Sequence, residues 1–167
     1  YMPQPGKNSL SYHNVHALCF DDDEHLWIGT YSRGLNILNV RTGHFKHYVR
    51  NNSEYSLDDN GVYSIFKDKD DNMWVGTMTG LNVYDRKKDG FKLIRELGVT
   101  TIDIKQDTDG FIWFATFGEG LIRYNPENEE WKTYLVRPPD TKLMSNHVNT
   151  ICMDSDNQMW VGTEGGL

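Results

Sequence analysis

Four short segments of one make-up recur along this chain, and the recurrence constrains its fold more than any other feature. They read Leu26-Trp27-Ile28-Gly29-Thr30, Met73-Trp74-Val75-Gly76-Thr77, Ile112-Trp113-Phe114-Ala115-Thr116 and Met159-Trp160-Val161-Gly162-Thr163. Each leads within a few residues to Gly-Leu: Gly34-Leu35, Gly80-Leu81, Gly120-Leu121 and Gly166-Leu167. The tryptophans stand 47, 39 and 47 residues apart, the short interval reflecting a trimmed connector at Leu97-Gly98-Val99-Thr100. The register extends upstream. Val15, Val62 and Val148 precede Asp21, Asp68 and Asp154 by one spacing, and Tyr1, Tyr48 and Tyr134 each lie 14 positions before those valines.

Each unit resolves into four short strand-like runs, in the second Val62 to Lys67, Met73 to Thr77, Leu81 to Asp85 and Phe91 to Ile94. Asp, Asn and Gly fill the connectors, as tight turns require. Aromatic residues at 13% and 15 glycines suit strands and turns better than helices. Four antiparallel strands in about 45 residues is the size of one propeller blade. The expected fold class is therefore all-β: a β-propeller fragment of four-stranded antiparallel blades. About three and a half blades are present, over residues 10–48, 57–94, 99–134 and, in part, 143–167. Rings take about four to eight blades, so an open ring is expected. Tyr1 reads as the tail of an outer strand from a preceding blade. The open faces would be covered by the remaining propeller blades of the same protein, or by a homodimer.

Blades pack face to face, so Trp27, Trp74, Trp113 and Trp160 are expected to fill the wedge between neighbours. Gly29, Gly76 and Gly162 (Ala115 in the third unit) point to the same face two positions on and would leave room beside the indole. Asp68, Asp70 and Asn72 alternate like calcium ligands, but Met73 replaces the required Gly and no closing Glu follows, so a hairpin turn is expected. The histidines lack the spacing of a shared metal site, and no metal or cofactor is implied. Cys19 and Cys152 share one blade position too far apart to bridge, and read as small buried apolar groups. No hydrolase, nucleotide-binding or metalloprotease fingerprint appears, so catalytic residues are none and an enzyme is not expected. A net charge of −7 argues against nucleic acid and against an anionic membrane surface.

The run Ser-Leu-x-x-x-x-Val-x-x-Ile/Leu-x-x-Asp-x-Asp-x-x-Met/Leu-Trp-Ile/Val-Gly-Thr-x-x-x-Gly-Leu resembles the two-component regulator propeller repeat. Ser9 to Leu35 and Ser56 to Leu81 carry it almost complete, whereas the third unit lacks the Ser-Leu lead-in. The resemblance implies a segment of the periplasmic sensor region of a hybrid two-component system histidine kinase, from bacteria that forage on polysaccharides. It implies oligosaccharide ligands, and a β-sandwich, membrane helix, kinase and DNA-binding domain elsewhere in the protein. A protein–protein scaffold stays open beside this reading, because a propeller fold does not fix function.

In a four-stranded meander the loops entering strand one and joining strands two to three share one face. Ligand-binding candidates there are Tyr12, His13, Tyr31 and Arg33 in the first unit, Asn60 in the second, Phe117 and Glu119 in the third, and His147 in the fourth. Aromatic rings to stack on a sugar, with Arg, Asn and His to bond its hydroxyls, make a glycan inventory. Tyr31 and Arg33 stand out because the repeat does not need them.

Overall fold

The computed structural model describes residues 1–136 and 143–167, with all their side chains except those of Arg95 and Glu96. Every regular element among the described residues is a strand. The first blade runs β1 (Val15–Phe20), β2 (His25–Thr30), β3 (Leu35–Asn39) and β4 (Phe45–Tyr48). The second has β5 (Val62–Lys67), β6 (Met73–Thr77), β7 (Gly80–Asp85) and β8 (Gly90–Glu96). The third has β9 (Thr101–Gln106), β10 (Ile112–Thr116), β11 (Leu121–Asn125) and β12 (Glu130–Tyr134), and the fourth contributes β13 (Val148–Met153) and β14 (Met159–Thr163). Strands pair antiparallel in chain order, giving three four-stranded sheets and one two-stranded sheet. The propeller blades inferred from the repeat are thus observed. Tyr1 lies in no strand; its ring sits edge-on to Phe45 at 5.4 Å.

Hydrophobic cores lie between blades. Trp27 packs with Leu35 and Ile37 of its own blade on Val62, Val75 and Phe91 of the next. Trp74 and Leu81 pack likewise on Ile104, Phe114 and Ile122. Tyr84 and Phe91 meet the Trp27 ring edge-on, and Tyr124 does the same for Trp74. The connectors seal each junction with one leucine: Leu57 between blades one and two, Leu97 between two and three, Leu143 between three and four. Leu97 thus supplies, from a trimmed connector, what the Ser-Leu lead-in supplies elsewhere.

Burial of the tryptophans is uneven. Trp27 is 1% exposed and Trp74 4%, Trp113 is half-buried, and Trp160 is 47% exposed. The wedge role expected of all four is therefore complete in two. Among the described residues blade four has no third or fourth strand to cover Trp113, and no further blade covers Trp160. Cys152 pairs across from Trp160 and is exposed too, and Cys19 is half-buried, so neither thiol is the buried apolar group expected. On the opposite flank Leu18 and Phe20 of β1 are exposed. The outer part of that flank is covered by the N-terminal segment, where Leu10 joins Ile28, Leu38 and Phe45.

The glycines after Trp27 and Trp74 have a different reason from the one expected. A Cβ at Gly29 would stand 2.6 Å from Val62 Cγ1 and 3.2 Å from Ala17 Cβ. At Gly76 it would stand 2.2 Å from Ser64 Oγ and 2.8 Å from Thr101 Cβ. The room serves the first strand of the same blade and of the next, not the indole.

The aspartate that opens each first hairpin is more than a turn residue. Asp68 Oδ1 accepts the backbone N–H groups of Asp70 (3.0 Å) and Asn72 (2.8 Å), while Oδ2 accepts Trp74 Nε1 (2.8 Å). Asp107 and Asp154 hold Trp113 and Trp160 in the same way, at 2.7 and 2.8 Å. Bonds to the indole and to the turn amides lower the Asp154 pKa below the usual carboxylate value. Blade one departs from this. Asp21 turns instead to Arg86 of the second blade in a bidentate pair (2.8 and 2.6 Å), leaving the buried Trp27 Nε1 without a hydrogen-bond partner.

Candidate functional site

The loop joining strands two and three is tied in every blade to the loop entering strand one. Tyr31, Met78, Phe117 and Glu164 each donate a backbone N–H to the residue just before the first strand: Asn14, Gly61, Thr100 and His147, at 2.9–3.1 Å. This shared bond assigns the four residues to one repeat position and gathers both loop sets on one face, called here the upper face. A bulge at the start of each first strand breaks the side-chain alternation. It brings His16 and Tyr63, neither among the ligand candidates read from the sequence, into the Tyr31 neighbourhood.

The result is a ring cluster across blades one and two. His16 lies 4.6 Å from Tyr63 and 5.5 Å from Tyr31, and Tyr31 lies 6.2 Å from Tyr63. Gly61 forms the floor, approached by Tyr63 and by Asp59, whose Oδ1 accepts its N–H at 2.7 Å. Burial first, then the neighbouring Tyr31 and Asp59, push the Tyr63 phenol above its ordinary pKa. Arg33 has its backbone fixed, with N–H donating to Thr30 Oγ1 and carbonyl accepting from Ser11 Oγ, and its side chain is exposed. Tyr12 and His13 form a separate tilted pair, 4.5 Å apart, on the entry loop.

A second cluster joins blades three and four. Phe117 stacks on His147 at 4.3 Å and 10°, and His147 Nδ1 is 2.8 Å from Glu164 Oε2. Glu119 is exposed on the same loop. Asn60 behaves differently from the other candidates. Its side-chain oxygen accepts Arg50 N–H at 2.7 Å and its carbonyl accepts Gly34 N–H at 2.8 Å, and Asn146 makes the same bonds to Val136 and Gly120. These contacts account for Asn60 as a clamp between connector and blade.

A cleft of about 700 Å³ opens on the flank of blade three, lined by Trp113, Tyr134, Leu143, Met159 and Trp160. These are packing positions, covered at the first two junctions by third- and fourth-strand aromatics, so the cleft is a seam between blades. The Asp68 hairpin holds Asn72 and Trp74 with its carboxylate, as a turn rather than an ion loop. Among the described residues no group of three His, Cys, Asp or Glu comes together to hold a metal.

Three stretches of the chain, residues 9–32, 56–79 and 142–165, match the family model of the two component regulator propeller. Those three units are two component regulator propeller repeats. The third blade, without the lead-in and with Ala115, is the unit left outside the match. Over 64 residues the chain is 39% identical to histidine kinase P4 of Formosa agariphila, a match covering 38% of this chain and 5% of that protein. The extracellular domain of the hybrid two component system BT3049 of B. thetaiotaomicron superposes with a TM-score of 0.78 at 28% identity, over 95% of this chain and 20% of that one. The corresponding domain of BT4673 shares the fold, with a TM-score of 0.69 at 19% identity over 98% of this chain and 28% of that one. The chain thus spans a small part of the length of the relatives it resembles.

Proposed function

We propose that this chain is a ligand-sensing segment of the extracytoplasmic, periplasmic part of a hybrid two component regulator, and that its upper face recognises an oligosaccharide. The observation that carries the reading is the cluster of His16, Tyr31 and Tyr63 beside Asp59, with Arg33 on the adjoining loop. Exposed rings offer a sugar its apolar face, and the flanking carboxylate and guanidinium bond its hydroxyls. The likeness to extracellular domains of hybrid two component systems supports the setting. In this reading further blades of the same polypeptide cover Leu18, Phe20 and Trp160, and signalling belongs to domains outside the chain.

A thermal-shift screen against oligosaccharides from a broad panel of plant, algal and host polysaccharides tests the proposal. Stabilisation by one glycan class, rising with concentration as binding to the folded state requires, is the expected result. No shift from any member of the panel would replace the glycan reading with that of a protein-binding scaffold.

A further inference from the structure

Tyr31, Met78 and Phe117 occupy one repeat position in three consecutive blades, each fixed by the same backbone bond to its entry loop. They are 44%, 41% and 45% exposed, so three large apolar side chains stand open to solvent where each blade could have had a polar one. Glu164 at this position in blade four shows that the repeat does not need an apolar residue here. Scattered exposed hydrophobes need no explanation, but three at one repeat position in consecutive blades make a recurring surface feature. Sheets packed face to face lie about 10 Å apart, so the row from Tyr31 to Phe117 spans about 20 Å over two blade steps. Each end is backed by further rings: His16 and Tyr63 at the first, His147 at the second.

Resting on the glycan reading above, we infer that the upper face binds an extended, linear oligosaccharide laid along this arc, held by a stacking contact at each end and resting on the apolar Met78 between them. An arc of about 20 Å exceeds the reach of one or two sugar rings. Short ligands therefore fill one end, and longer ones gain the second contact at the effective concentration set by the covalent link. Both ends also present a carboxylate, Asp59 and Glu164, so each contact pairs a ring face with a hydroxyl acceptor.

Calorimetric titration of the chain with size-fractionated ladders from the same polysaccharide panel, from the monosaccharide upward, tests the inference. Affinity is expected to step up by about tenfold or more once the glycan is long enough to link both ends. Phe117→Ala should abolish that step, while fragments too short to link the ends still bind at the intact Tyr31 end. Met78→Glu, which installs a side chain already tolerated at this position in blade four, should reduce it in the same way. Binding that is independent of length, or a length step untouched by both variants, would overturn the arc while leaving the glycan site standing. If no ladder binds at any length, the glycan reading itself falls.

Discussion

Asp68→Ala removes the acceptor of two turn amides, the Asn72 side chain and the Trp74 indole at once. The turn amides can turn to water, but the indole cannot, because Trp74 is almost fully buried. A hydrogen bond to a charged group contributes about 1.5–3 kcal/mol, and an orphaned buried donor costs about 1–3 kcal/mol. Relief from burying a carboxylate offsets part of this, so a net loss of about 3 kcal/mol is expected, a large share of a typical domain's stability. The chain contains its own control. Asp21 stands at the same position in blade one but leaves the Trp27 N–H unpaired in the native state, so Asp21→Ala orphans no indole. Its partner Arg86 is half exposed but Asp21 itself is only 12% exposed and also faces Lys67, so its loss is expected to cost about 1–2 kcal/mol, still below that of Asp68→Ala. Urea unfolding followed by tryptophan fluorescence, with midpoints compared at constant slope, measures both. Equal losses in the two variants, or a loss below about 1 kcal/mol for Asp68→Ala, would refute the assignment of the aspartate as an indole clamp.

Arg86→Met releases Asp21, which is expected to swing to its own tryptophan; the Trp27 indole proton resonance should then move towards those of Trp74 and Trp160, and an unmoved resonance counts against the exchange. Gly29→Val is expected to destabilise by more than about 3 kcal/mol, because overpacking at a close backbone approach adds to the clash with Val62; a thermal melt within a degree or two of the parent would contradict the interblade role of that glycine. Asp89 is held down to about 2, from an ordinary 3.8, first by Lys46 and then by the hydroxyls of Tyr48 and Tyr84. A depressed carboxylate stabilises above its unfolded pKa and ceases to as pH falls through its folded one, so Asp89→Asn should flatten part of the loss of stability between about pH 4 and pH 2. Identical acid profiles for parent and variant would remove this link between blades one and two.

The four-stranded repeat and its strand order were legible because Trp, Gly and Leu recur where every blade must pack, and packing demands repeat with the fold. The Asp clamp was not, since an aspartate in a turn-rich run reads as punctuation until its second oxygen is seen on the indole six residues on. The meaning of Gly29 was missed for a related reason: its constraint includes Val62, a residue of the next blade. His16 and Tyr63 were left off the ligand candidates because strict strand alternation gives no sign of the bulge that re-aims them. Tyr31 and Phe117 were visible as departures from the repeat. Their shared position with Met78 emerges only when the loops are aligned by their common backbone bond, and Asn60 shows the converse, a plausible ligand residue taken up by the scaffold.

The central claim is that the upper face around Tyr31 and Arg33 takes the ligand. Titration of the Tyr31→Ala, Arg33→Ala double variant with the glycan that stabilises the parent tests it most directly, alongside a thermal melt. Loss of detectable binding with a melting temperature nearly unchanged is the predicted outcome, since both side chains are exposed. Parent-like affinity in the double variant would contradict the account and move the site off the first blade.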